Sequence, residues 1–241
     1  MPEPGYAVLF DVDGTLVDTN WFHALAWWRV FDKAGHQVPI SRIHPLIGMG
    51  STELLETLFG EPRQDLKEGH SAEFEPFMAE IRAFPRAADL LRAVKASGAA
   101  VVLCTSSKKD HLEPMLEAIG ATDAVDEIVN ADDVDRSKPA PDVFAAALEM
   151  TGLRPRDCLA VGDTRWDVEA ASRTGLGTVC VLTGGSSRQD LLDAGAVTVY
   201  DDVADLLANL EASPLARLLP AGVRSGATWE TSAGVPRRSP S

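Results

Sequence analysis

Six short, mostly apolar runs constrain the fold of this chain more than any other feature. They are Tyr6–Phe10, Ala99–Cys104, Glu127–Asn130, Cys158–Val161, Thr178–Leu182 and Val197–Tyr200. Runs of this length without a polar alternation read as strands buried on both faces. From Arg86 onward they alternate with stretches of helical spacing: Arg86–Ser97, Asp110–Ile119, Pro141–Thr151, Val168–Thr174, Asp190–Ala194 and Val203–Leu210. Strands alternating with helices imply a parallel sheet joined by right-handed crossovers. The expected fold class is α/β, a doubly wound parallel sheet (Rossmann-like core).

One connection breaks that rhythm. From Asp18 to about Pro85 the chain reads as helix alone, so an all-helical cap is expected, inserted after the first strand. Trp21, Ala24, Leu25, Trp28 and Phe31 recur at i, i+3, i+4, i+7 spacing, with Gly35 as the stop; Trp27 and Val30 lie off that stripe and suggest a second apolar face. A short helix from Ser41 through Ile47 is broken by Gly48-Met49-Gly50, a second runs from Ser51 to Phe59, and a longer one spans about Arg63 to Arg82 with weak points at Gly69 and Pro76. The expected division is a core of residues 1–17 and 86–220, a cap of 18–85, and a disordered tail of 221–241, rich in Gly, Ser, Pro, Ala and Thr and without periodicity.

A chain of 241 residues, 45% of them apolar, can bury a sizeable core. Its formal charge of −14 argues against a nucleic-acid partner, because phosphates repel an acidic surface. An anionic small substrate would need positive charge concentrated at its site. Cys104, Cys158 and Cys180 each sit in an apolar run with no metal-like spacing, which reads as buried thiols in a reducing compartment. No stretch is long and apolar enough for a membrane span, and a cytoplasmic location is expected.

Polar clusters follow three of the apolar runs, and a fourth precedes a helix. They are Asp11-Val12-Asp13-Gly14-Thr15, Thr105-Ser106-Ser107-Lys108, Gly162-Asp163-Thr164-Arg165-Trp166-Asp167 and Ser137-Lys138-Pro139-Ala140-Pro141. Singly, each has a plain reading: Asp-Gly is a turn, Thr-Ser a helix cap, a lone lysine a solvated one. Jointly they point elsewhere, because all strand C-termini of a parallel sheet share one edge. Asp11, Asp13 and Asp163 meeting there would repel without a cation, and hard oxygen ligands suggest Mg²⁺. A hydroxyl, a lysine and helix N-terminal amides around that ion make an anion site. The combination describes phosphoryl transfer.

FDVDGT, VVLCTS, SKPAPDVF and VGDTRWDVEAA resemble, in order and spacing, the four motifs of the haloacid dehalogenase-like superfamily, over about Tyr6–Leu210. The helical insertion resembles the cap of its phosphoglycolate phosphatase and β-phosphoglucomutase branch. The resemblance implies that Asp11 attacks phosphorus and forms an aspartyl phosphate. Asp13 then protonates the leaving oxygen and deprotonates the hydrolytic water, a task suited to a pKa raised toward the operating pH. Mg²⁺ is held by the Asp11 carboxylate, the Asp13 backbone carbonyl and Asp163, with Asp167 acting through water or an outer contact. Thr105, Ser106 and Gly14 hold phosphoryl oxygens, and Lys138 neutralises charge on phosphate and nucleophile. Asp18 and Thr19 join core to cap, as a hinge or as a helix cap.

Within the superfamily, Asp13 argues against the dehalogenases, which resemble this motif without the second acid. His23 lies where the β-phosphoglucomutase branch has a cap-helix histidine; substrate contact and plain helix packing both remain open for it. The loop Ile47-Gly48-Met49-Gly50-Ser51 lacks the charges with which that branch grips a sugar phosphate, and Lys33 and Lys67, the cap's only lysines, lie outside it. A phosphatase acting on a small phosphorylated metabolite is therefore expected, with His23, Gly48 and Met49 at the substrate. A phosphomutase and a non-catalytic binding protein on the same scaffold are the alternatives. Monomer and homodimer both remain open.

Overall fold

The computed structural model of the chain describes residues 5–218. The strands are β1 (Ala7–Phe10), β2 (Ala100–Cys104), β3 (Glu127–Val129), β4 (Cys158–Gly162), β5 (Gly177–Val181) and β6 (Thr198–Tyr200). They form one all-parallel sheet in the order β3-β2-β1-β4-β5-β6. β1 and β2 alternate their side chains between two apolar layers, as the pleat requires. Val8, Phe10, Val101 and Leu103 face Leu90, Leu91 and Leu206, while Ala7, Leu9, Ala100 and Val102 face Phe144, Ala147 and Ala170. Both faces are covered, which is why these strands carry no polar alternation.

The helices are α1 (Asn20–Lys33), α2 (Ile40–Ile43), α3 (Ser51–Phe59), α4 (Gln64–Phe74), α5 (Ala87–Ala96), α6 (Lys109–Ile119), α7 (Asp142–Thr151), α8 (Arg165–Ser172), α9 (Arg188–Asp193) and α10 (Val203–Ala208). The first four lie between β1 and α5 and make the cap, with their own core of Ala24, Trp27, Val30, Phe31, Ile43, Leu54, Leu55 and Leu66. Its two connections to the sheet domain run side by side: Asp18 N–H donates to Arg82 O and Phe84 N–H to Leu16 O, both at 2.9 Å.

Two expectations about the cap are corrected. Trp21 and Trp28, on the expected stripe, are exposed at 55% and 40%, whereas Trp27 and Val30 are buried, as a second apolar face would be. The buried face of α1 instead carries Asn20 and His23 beside Ala24, Trp27 and Phe31, polar residues that turn toward the sheet's edge. The long helix expected over Arg63–Arg82 continues through Gly69 but ends at Phe74; Pro76 opens a 3₁₀ turn, Glu75–Glu80. Residues 221–241, expected to be a disordered tail, lie outside the described residues. Among the described residues no helix is long and apolar enough to cross a membrane.

Candidate active site

The register pairs Phe10 with Leu103 on one side and Val161 on the other. Asp11 is therefore level with Cys104 and Gly162, and Thr105 and Asp163 follow one residue further along the neighbouring strands at the same edge. Gly14, at φ 77°, turns the chain back so that its N–H donates to Val17 O at 2.8 Å. A side chain at position 14 would overlap Asn20 and Asp163. Gly14 thus serves the turn, and its amide is not free to meet a phosphate, contrary to the expectation.

Below the turn sits a buried acidic cluster. Thr15 Oγ1 lies 3.2 Å from Asp11 Oδ2 and 2.7 Å from Asp163 Oδ1, with one proton to give to either. Asn20 Nδ2 donates to Asp163 Oδ2 at 2.8 Å. Asp167 is drawn in by its own helix start: Thr164 N–H and hydroxyl donate to Asp167 Oδ2 at 3.0 and 2.7 Å. Gly162 makes room for it, since a Cβ there would stand 2.6 Å from Asp167 Cβ. The expected helix start at Val168 was thus late; Thr164 caps α8 and Asp167 lies in its first turn.

Lys138, 1% exposed, reaches this cluster from the loop after β3. Its ammonium pairs with Asp11, donates to Cys104 O at 3.0 Å and stands 2.8 Å from Asp167 Oδ1, off the axis of a hydrogen bond. One oxygen of each of Asp11, Asp163 and Asp167 lies within 4.8 Å of the others. Burial, with Asp167 and Asp13 adding to it, pushes Asp11 up to about 7 despite Lys138. Burial and the neighbouring Asp11 and Asp167 push Asp163 well above the usual carboxylate value. Burial alone would lower Lys138, but Asp11 and Asp167 override it and hold the ammonium charged. Three buried carboxylates against one ammonium leave surplus negative charge among hard oxygen donors. That donor set fits a divalent cation such as Mg²⁺.

Asp13 turns the other way, toward the cap. Its Oδ1 accepts from Thr19 Oγ1 at 2.7 Å and faces His23 Nε2 at 3.2 Å; its Oδ2 accepts from Thr105 Oγ1 at 3.1 Å and Ser107 Oγ at 2.8 Å. Burial would raise its pKa, but the bonds from His23, Thr19 and Ser107 outweigh it and hold Asp13 below the usual carboxylate range. This reverses the expectation of a raised value, because four donors stabilise the ionised form. The Asp13 carboxylate also stands outside the acidic cluster, so only its backbone carbonyl is left for the expected metal role. His23 in turn has its Nδ1 3.3 Å from His70 Nε2 and its ring stacked on Phe74 at 3.9 Å. Burial, with His23 and His111 nearby, lowers His70 well below the usual histidine value and keeps it neutral.

Between cap and sheet lies a cavity of about 70 Å³ whose floor is Asp11 and Asp13. The expected residues His23, Gly48, Met49 and Ser106 line it. The loop carrying Gly48 and Met49 is tied down where Gly50 N–H donates to Lys138 O at 3.0 Å and Trp166 Nε1–H donates to Pro45 O at 3.1 Å. Thr105, 1% exposed, instead accepts from Ser107 N–H at 2.9 Å and orients Asp13 from behind. Ser107, Lys67, His70, Lys108 and His111 also line the cavity and were not assigned from the sequence. Lys67 and His70 are i and i+3 on α4, and that spacing was a readable signal once the inner face of α4 is known. Thr15 and Asn20, which hold Asp163, were likewise missed.

The family profile described as haloacid dehalogenase-like hydrolase matches residues 7–175. A phosphoglycolate phosphatase of Nitrosospira multiformis is 31% identical over 209 residues, 81% of this chain and 92% of that protein. A validoxylamine A 7'-phosphate phosphatase of Streptomyces hygroscopicus is 28% identical over 192 residues, 73% of this chain and 84% of that protein. The crystal structure of a hydrolase from Pseudomonas syringae superimposes with a TM-score of 0.81 at 33% identity, covering 86% of this chain and 98% of that one. The chain belongs to the haloacid dehalogenase-like hydrolases, as a phosphatase-type enzyme.

Proposed function

We propose that the chain is a Mg²⁺-dependent phosphatase that hydrolyses a small phosphomonoester through a phosphorylated Asp11. The observation that carries this reading is the buried cluster of Asp11, Asp163 and Asp167 balanced by Lys138 alone, directly under the cavity floor. Asp11, Asp163 and Asp167, with the Asp13 backbone carbonyl, would hold the ion, which when bound supplies positive charge between nucleophile and phosphate.

The chain's own residues do the rest. Lys138 keeps Asp11 oriented and draws it toward the ionised form that attacks phosphorus. Asp13 is ionised before substrate binds, so its Oδ2 first takes the proton carried by a phosphomonoester monoanion, displacing the Ser107 hydroxyl that occupies that oxygen at 2.8 Å, and then passes it to the leaving oxygen. His23 Nε2, 3.2 Å from Asp13 Oδ1, holds that carboxylate in line while the proton moves. Asp13 then takes a proton from the water that cleaves the phosphorylated Asp11. The small volume of the cavity, about 70 Å³ between cap and sheet, favours a small ester over a phosphoprotein. Similarity to phosphoglycolate and validoxylamine 7'-phosphate phosphatases supports the reaction class, while their unlike substrates leave the ester open. Phosphate release from a panel of small phosphomonoesters, with Mg²⁺ and with chelator, tests it: release that requires the ion is expected, and no release from any ester by the folded protein would refute it.

A further inference from the structure

Two buried histidines meet inside the cap, and the phosphoryl chemistry engages only one of them. His23 of α1 faces Asp13. His70 of α4 stands behind it, 7% exposed, with its Nε2 3.3 Å from His23 Nδ1. Reciprocal spacing puts them there. Trp27 follows His23 by four residues on α1 and Phe74 follows His70 by four on α4, so each pair shares a helix face. Where the helices cross, Phe74 stacks on His23 at 3.9 Å and Trp27 stacks on His70 at 4.2 Å. Gly69 lets the helices come this close, since a Cβ there would stand 3.2 Å from Val30 Cγ1. The two imidazole planes lie within 21° of each other with their centres 5.3 Å apart, so the rings meet nitrogen to nitrogen at their edges.

A nitrogen–nitrogen contact needs one proton between two lone pairs, so it also decides where the proton on each ring sits. Asp13 is held ionised by its donors, which requires a proton on His23 Nε2. His70 is kept neutral by burial and so carries a single N–H. Leaving both rings neutral avoids burying a cation, and one arrangement then satisfies both contacts. His70 Nε2–H donates to His23 Nδ1, and His23 Nε2–H donates to Asp13 Oδ1. We infer that His70 is a positioning residue for Asp13, which fixes the tautomer and the ring orientation of His23 from the neighbouring cap helix. Without His70 the His23 ring would be free to turn about its Cβ–Cγ bond and present a C–H to Asp13. Thr19 and His23 together hold Oδ1 toward the cap, which leaves Oδ2 for the proton that moves. The aim of Asp13 therefore depends on α4 lying against α1. The inference rests on the phosphatase reading for what Asp13 does, and on the geometry alone for what His70 does to His23.

Long-range proton–nitrogen correlation NMR of the full chain, labelled at histidine and kept near neutral pH with Mg²⁺, reads which ring nitrogens carry protons. The chain has five histidines, and the signals lost in His23→Gln identify His23. His23 in the unaltered protein should show a protonated Nε2 and a bare Nδ1. In His70→Leu that single state should be lost, and kcat with p-nitrophenyl phosphate should fall about tenfold while KM changes less than about threefold. His70→Gln, whose amide N–H reaches the place of the His70 Nε2–H, should restore the His23 state and most of kcat. A proton on His23 Nδ1 in the unaltered protein, alone or together with one on Nε2, overturns the inference. So does a His70→Leu variant whose His23 state is that of the unaltered protein. If His70→Leu does not fold, the unaltered protein and His70→Gln decide, because the state of His23 is read in both. That reading needs no turnover, so failure of the phosphatase reading would show separately, as the expected His23 state without phosphate release from any ester.

Discussion

Replacing Lys138 with Met removes the one cation of the acidic cluster at nearly constant volume. The substitution leaves Asp11 and Asp167, at 7% and 1% side-chain exposure, without their shared partner. Breaking a buried ion pair from one side costs about 3–5 kcal/mol. The lost bond to Cys104 O adds about 1 kcal/mol, and the close match of Met to Lys in length keeps any cavity contribution small. The cost depends on pH, and its sign follows from Asp11. Lys138 is the main influence lowering a carboxyl that burial raises to about 7, so its loss raises that pKa further. Both folded proteins retain on Asp11 a proton that the unfolded chain has released, so both lose stability as pH rises from about 4 to about 7; above about 7 the unaltered Asp11 ionises beside Lys138 and the variant alone goes on losing stability. Urea unfolding in the presence of chelator, at about pH 5 and about pH 8, measures both effects. The variant should lose about 4 kcal/mol at the higher pH and distinctly less at the lower. A loss under about 1 kcal/mol, or the same loss at both pH values, would refute the charge balance described for the cluster.

Further outcomes follow from the same geometry. Mg²⁺ should bind more tightly as pH rises from about 6 to about 8, because Asp11 and Asp163, both raised by burial, must release protons to take the ion; calorimetry in buffers of different ionisation heat reads the protons released. Asp163→Asn relieves part of the repulsion among three carboxylates, so the chelator-treated variant should melt higher than the unaltered protein while its melting temperature no longer responds to Mg²⁺. Trp27→Ala should cost about 3–5 kcal/mol in urea unfolding and Trp28→Ala less than about 0.5 kcal/mol, which checks the face that α1 buries.

The sheet and its functional edge were legible because their physics is local and repetitive. Ala7–Phe10, Ala100–Cys104 and Cys158–Val161 are buried on both faces, so each is an unbroken apolar run, and parallel pairing then fixes which residues meet. Asp11, Asp13, Thr105 and Asp163 could be brought to one edge on that argument, while Lys138 and Asp167 were placed beside Asp11 only by the resemblance of their motifs to the family's. The cap was less legible because α1 does two jobs. Asn20 holds Asp163 and His23 faces Asp13, so its inner face contains polar residues that an apolar stripe cannot register, while Trp21 and Trp28 mimic a stripe from the outer face. The ionisation pattern was beyond reach for a related reason. The sequence shows two acids two residues apart, and only their surroundings show that Asp11 sinks against Asp163 and Asp167 while Asp13 rises among four donors. Lys67 was set aside because it lies outside the Gly48–Met49 loop, and only the packing of α4 over the cavity brings it into the site.

The central claim is that Asp11 attacks phosphorus, and one comparison tests it most directly. Asp11→Asn keeps the side chain's size and its place beside Lys138 and Thr15 but removes the anion. With Mg²⁺ and p-nitrophenyl phosphate the unaltered protein should release phosphate, and the variant, still folded by circular dichroism, should release it at least about a thousandfold more slowly. A folded Asp11→Asn variant that turns over at a rate near that of the unaltered protein would contradict the account.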